Sequence, residues 1–152
     1  ADIAISAARV VRLFGFDPKV AFVSHSTFGQ PLTSRTKHIR NAVQILKDKD
    51  VDFKFDGDMQ PDVALNDEYK ELYPFSEIVG NANILIMPGQ HSAAISYKMM
   101  KTLSGAKVIG PLLIGLGQPI EIAPLRSSTS EILNLASVAA YSAGVIDYKK
   151  KN

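Results

Sequence analysis

Arg126, Ser127, Ser128 and Glu131 fall within eight residues, in PLRSSTSE (124–131). An arginine just ahead of a helix start, where backbone N–H groups are free, is the pattern of a phosphate or other anion site. The competing account is structural: Ser128 and Glu131 have the spacing of a helix capping box. A second stretch, SHSTFG (24–29), offers the hydroxyls of Ser24, Ser26 and Thr27, with Gly29 permitting close backbone approach. It reads either as an anion contact or as an ordinary polar loop. A third, DGDMQPD (56–62), holds Asp56, Asp58 and Asp62. Its spacing fails as a calcium loop, and a tight turn leading into a helix N-terminus accounts for three carboxylates. GPLLIGLGQP (110–119) is glycine-rich but matches neither a P-loop nor G-x-G-x-x-G. Gly115 and Gly117 suit tight turns or close approach to a ligand. His25, His38 and His91 lack metal-ligand spacing, so no metal is expected.

Composition narrows the choice further. The 152 residues suffice for one domain with a real core, and a single domain over 1–152 is expected. A net charge of +2 argues against nucleic acid as the partner, since that role usually carries a strong basic stripe. Lys149, Lys150 and Lys151 read as a solvated tail. With no cysteine there is no thiol nucleophile and no disulfide framework, which fits a reducing, cytoplasmic setting. No apolar run reaches the ~20 residues of a membrane-spanning helix. The sequence begins inside a helical pattern without methionine, as a piece of something longer would.

Helices and strands alternate along the chain. Ile3, Ala7, Val10, Val11 and Phe14 have a helical period that ends at Gly15. KVAFVS (19–24) reads as a buried strand, and 34–50 as an amphipathic helix with Ser34 as N-cap. VDFKFDG (51–57) alternates like a strand, and 61–73 reads as one helix with proline in its first turn. ANILIMP (82–88) is a further strand and 92–105 a helix. Two strands are expected within 106–122, then a last helix over 128–144 closed by Gly144. This order predicts an α/β fold of three αβα layers with a mainly parallel sheet. Ligands in such folds sit beyond the carboxyl ends of the strands, which directs attention to 24–31, 56–62, 88–92, 110–119 and 123–128.

VAFVSHSTFG, FDGDMQPDVAL, NANILIMPGQHSAAISYK and GAKVIGPLLIGLGQPIEI, in this order, resemble blocks of the phosphate acetyltransferase (phosphotransacetylase) family. The resemblance runs over about residues 19 to 143 and rests on the order of several blocks rather than on one motif. It implies the family's fold, which is of the isocitrate/isopropylmalate dehydrogenase-like kind, and it places this chain in the C-terminal half of that region. SHSTFG and PGQHSAAISY look closest to the phosphotransacetylase-type C-terminal domain of NADP-dependent malic enzymes (oxaloacetate-decarboxylating).

The resemblance also implies chemistry. The family moves an acetyl group between acetyl phosphate and the coenzyme A thiol. A thiol with pKa near ~8.5 needs a base, and the oxyanion that follows needs donors. The active loop reads approximately Ser-Arg-Gly-x-Ser-x-x-Asp after a Lys-Pro element, with aspartate as base. Here the element is Gln118-Pro119. Counting without gaps puts the serine on Pro124, the arginine on Leu125 and the aspartate on Glu131. A one-residue shift matches Arg126 to the arginine but moves the base position to Ile132. Neither register keeps the whole set, so the loop is expected to bind ligand with lost or crippled transfer. The implied ligand is acetyl-CoA or CoA, with phosphate or acetyl phosphate as a further partner, contacted by Ser24, Ser26, Thr27, Gly115, Gly117, Pro124, Leu125, Arg126 and Ser127. Glu131 is a degenerate base and Arg126 a stabiliser. A homo-oligomer is expected, without nucleic acid or membrane. Two alternatives stay open: an active phosphate acetyltransferase, and an assembly domain with a vestigial pocket.

Overall fold

A computed structural model describes residues 1–151, with side chains for all of these except Lys70 and 146–151. The lysines at 149–151, expected as a solvated tail, therefore lie outside the described side chains. The chain divides into two compact units, residues 1–98 and 99–152.

The first unit is a parallel α/β layer structure. Helix α1 (Asp2–Leu13) buries Ala4 and Ala8, and the chain turns after it through Gly15 at φ +83°. Strand β1 (Lys19–Val23) is central, flanked by β2 (Lys54–Met59) and β3 (Ile84–Ile86) in the order β2-β1-β3, all parallel. Parallel neighbours need crossover connections, and α2 (Ser34–Asp48) supplies the one between β1 and β2. Successive side chains of β1 point to opposite faces, so both faces must be covered. Val20 and Phe22 pack with Ala4, Ala8, Val43, Leu46 and Ile84 beneath α1 and α2. Ala21 packs on the other face with Met59, Val63, Ala64, Ile78 and Ala82.

Several boundaries differ from those read in the sequence. The N-cap of α2 is Thr33 rather than Ser34. Its hydroxyl accepts from the Thr36 N–H, while the Thr36 hydroxyl oxygen accepts from the Thr33 N–H, a reciprocal box that outcompetes a single serine. The helix expected over 61–73 is two: α3 (Pro61–Leu65) and α4 (Asp67–Lys70). Asn66 breaks it, adopting an extended backbone and accepting from the Glu68 N–H as the cap of α4. β2 begins three residues later than 51 and ends two later than 57, so Asp58 joins Asp56 as a strand residue and is not part of a turn.

The second unit contains the end of α5 (Gln90–Leu103) and the long helix α6 (Thr129–Lys151). Gly144 does not close α6; the helix runs through it. A glycine costs a helix interior only about 1 kcal/mol, and no residue near it demands a turn. The two strands expected within 106–122 are absent. This segment is irregular and carries no buried residue. Its apolar runs satisfy the strand pattern, but a strand exists only when its backbone is paired, and no ladder in the described residues reaches it. Among the described residues no helix is long and apolar enough to cross a membrane.

Candidate functional site

The loop leaving the carboxyl end of β1 is held by the residues that end β2. The Ser24 N–H donates to the Met59 carbonyl at 2.9 Å, and the Phe28 N–H to the Asp58 carbonyl at 2.6 Å. The Gln60 N–H donates to Thr27 Oγ1 at 3.2 Å, and Gln60 Nε2 to the His25 carbonyl at 2.7 Å. The Ser26 hydroxyl donates to Asp58 Oδ2. Ser24, Ser26 and Thr27 are all buried. The hydroxyls expected to face a ligand are thus turned inward, and they fix the loop. His25, between them, is exposed. Phe28 at φ +50° and Gly29 at φ +85° reverse the chain, and Phe28 packs on Tyr73 and Phe75 with ring centroids 5.4 and 4.8 Å apart. Beside this loop lies a groove of about 250 Å³ whose lining includes Phe28, Phe75, Arg40, Lys47, Asp56 and Glu77.

The carboxylates of 56–62 separate into three roles. Asp56 is buried and spends its oxygens on the N–H groups of Gly57 and Glu77, both at 2.8 Å. Asp62, in the first turn of α3, accepts from the Val63 N–H. Asp58 is fully buried and accepts from Ser26. No group of three potential ligands that could hold a metal occurs among the described residues. In the sequence Gln60 is not singled out, and Asp58 is weighed there only as a cation ligand and set aside as part of a tight turn. The alternation of Phe53 and Phe55 was the available signal, because continuing it puts Asp56 and Asp58 inside a strand.

In the second unit, Pro124, Leu125, Arg126 and Ser127 form a turn closed by the Ser127 N–H on the Pro124 carbonyl at 2.9 Å. It leads into α6. Leu125 is 102% exposed and Arg126 is exposed. The capping box is formed: Glu131 Oε2 accepts from the Ser128 N–H at 2.8 Å and from the Ser128 hydroxyl at 3.0 Å, while the Glu131 N–H donates to Ser128 Oγ at 3.3 Å. Glu131 Oε1 pairs with Lys101 Nζ at 2.7 Å. These contacts, Lys101 foremost, lower the Glu131 pKa from 4.5 to about 2. The helix N-terminus expected to receive an anion is thereby already occupied by a carboxylate. Gly115 takes φ +87° at a bend, and neither it nor Gly117 has a neighbouring group within 4 Å of a built Cβ.

Comparison with known proteins settles the family. The phosphate acetyl/butaryl transferase model matches residues 1–140. The chain belongs to that family. It is 49% identical over 144 residues to the NADP-dependent malic enzyme of Rhizobium meliloti, covering 95% of this chain and 19% of that one. It is 36% identical over 145 residues to the phosphate acetyltransferase of Clostridium acetobutylicum, covering 94% of this chain and 44% of that one. Among solved structures, a phosphotransacetylase from Streptococcus pyogenes superposes with a TM-score of 0.87 at 33% identity, over 93% of this chain and 44% of that one. The chain thus spans a fifth of the malic enzyme and less than half of the phosphate acetyltransferase. The α/β phosphotransacetylase fold read in the sequence is the fold observed. The same kind of domain occurs in both groups of relatives.

Proposed function

We propose that this chain is the C-terminal part of a phosphotransacetylase-type region in an NADP-dependent malic enzyme. In this reading it binds acetyl-CoA or CoA, regulates and helps assemble the enzyme as a homo-oligomer, and is impaired in acetyl transfer itself. The observation that carries the reading is the state of Glu131. A base must accept the thiol proton, and the Lys101 and Ser128 contacts that lower the Glu131 pKa to about 2 make it a poorer acceptor than an ordinary carboxylate. Both oxygens of Glu131 are already engaged, by Lys101 and by Ser128. In the ungapped register Pro124 and Leu125 hold the positions of serine and arginine, and neither side chain donates a hydrogen bond. The 49% identity to a malic enzyme over 95% of the chain supports placing it in that group.

The second reading, an active phosphate acetyltransferase, draws on Arg126, which is exposed and in no ion pair among the described residues, and on the 36% identity to a named phosphate acetyltransferase. Thermal protection by acetyl-CoA tests the first reading on the full-length protein. A ligand that binds the native state alone raises the unfolding temperature in proportion to the logarithm of its concentration. Concentration-dependent protection is expected; its absence at saturating acetyl-CoA removes the sensing role.

A further inference from the structure

Asp58 carries a buried carboxyl oxygen, Oδ1, that no hydrogen bond satisfies. The residue is 0% exposed and forms no ion pair among the described residues. A buried carboxylate with one neutral partner destabilises a fold, so such a residue is kept for what it holds in place. Its position is also irregular. β1 and β2 pair Phe22 with Gly57 and then Val23 with Met59, which leaves Asp58 as the extra residue of a bulge. Bulges turn a side chain out of the ladder's alternation and gather beside binding sites. Here the bulge sits at the carboxyl ends of two parallel strands, where ligands of α/β sheets lie.

Two separate bonds run from Asp58 to the β1 loop. Its side chain accepts the Ser26 hydroxyl, and its carbonyl accepts the Phe28 N–H. Ser26 Oγ in turn lies 3.3 Å from Ser24 Oγ. The loop is therefore fixed at both ends and in the middle, with His25 presented outward between two buried serines.

We propose that Asp58 is the positioning residue of the ligand-binding loop: through Ser26 it locks residues 24–29 in the shape that receives the acyl-CoA ligand, and it sets affinity without touching the ligand. This rests on the acetyl-CoA reading above. The test uses full-length protein and four variants: Asp58→Asn, Asp58→Leu, Ser26→Ala and the Ser26→Ala/Asp58→Leu double. Acetyl-CoA affinity is measured by titration calorimetry, and amide hydrogen exchange over residues 24–30 is measured without ligand. The asparagine oxygen still accepts the Ser26 hydroxyl, so Asp58→Asn is expected to bind like wild type. Asp58→Leu and Ser26→Ala break the same contact and should each weaken binding by about tenfold, with loop exchange faster by a similar factor. The double variant should be no weaker than either single, because only one contact is lost. Wild-type affinity in Asp58→Leu or Ser26→Ala, or losses that add in the double, overturns the proposal. If Asp58→Leu does not fold, the Ser26→Ala and Asp58→Asn pair decides alone. If wild type binds no acetyl-CoA, the functional reading falls and exchange judges the clamp: protection unchanged in Ser26→Ala overturns it.

Discussion

Substituting Gly57 by alanine tests the close approach of β1 and β2 that holds Asp58 in place. Gly57 has φ +142°, and a Cβ built there would lie 2.7 Å from the Phe22 carbonyl oxygen and 2.8 Å from Phe22 Cβ. Neither atom is the free end of a flexible side chain, so the strands must part. Forcing a residue into packed surroundings costs about 1–3 kcal/mol, and holding alanine at an unfavourable φ costs about 1–3 kcal/mol more. The expected loss for Gly57→Ala is therefore about 2–6 kcal/mol, a large share of a small domain's stability. Two other glycines separate the two contributions. Gly15 has φ +83° but nothing within 4 Å, so Gly15→Ala should show the backbone cost alone, about 1–3 kcal/mol. Gly89 has neither a positive φ nor a near neighbour, and Gly89→Ala should be close to neutral. Urea unfolding of the three variants measures the series. Gly57→Ala as stable as Gly89→Ala would refute the strand register described here.

Truncating Leu46 to alanine, at 0% exposure on the inner face of α2, should cost about 2–5 kcal/mol in the same assay, and a loss below about 1 kcal/mol would contradict the packing of that face. The depressed pKa of Glu131 implies a pH dependence at the start of α6. Its folded value, about 2, lies below the ordinary 4.5, so the capping box and Lys101 pair contribute fully above about pH 4.5 and fade as pH falls towards 2. Carboxyl-carbon NMR titration of Glu131 should give a midpoint near 2; a midpoint at 4.5 would mean that Lys101 and Ser128 do not hold it.

The alternation of helix and strand was legible because α1 and α2 each carry a helical period, while β1 and β3 are short continuous apolar runs. So was the capping box at Ser128 and Glu131, since both partners are local in sequence. What escaped depended on partners far away in the chain. β2 continues past 57 through Asp58 and Met59, although Gly57 and Asp58 are residue types poor in strand propensity, because β1 pairs with it. The apolar runs of 106–122 promised strands that need neighbours to exist. The burial of Ser24, Ser26 and Thr27 escaped for the same reason. Their types suggested a surface for anions, but Asp58 and Gln60, more than thirty residues later in the chain, turn two of the three hydroxyls inward.

The most direct test of the functional account is thiol release from acetyl-CoA in the presence of phosphate, measured on the full-length protein with the Glu131→Gln variant beside it. The account predicts no turnover in either protein, while acetyl-CoA still protects wild type against heat. Turnover in wild type that disappears in Glu131→Gln would contradict it, and would make Glu131 a working base and the chain part of an active acetyltransferase.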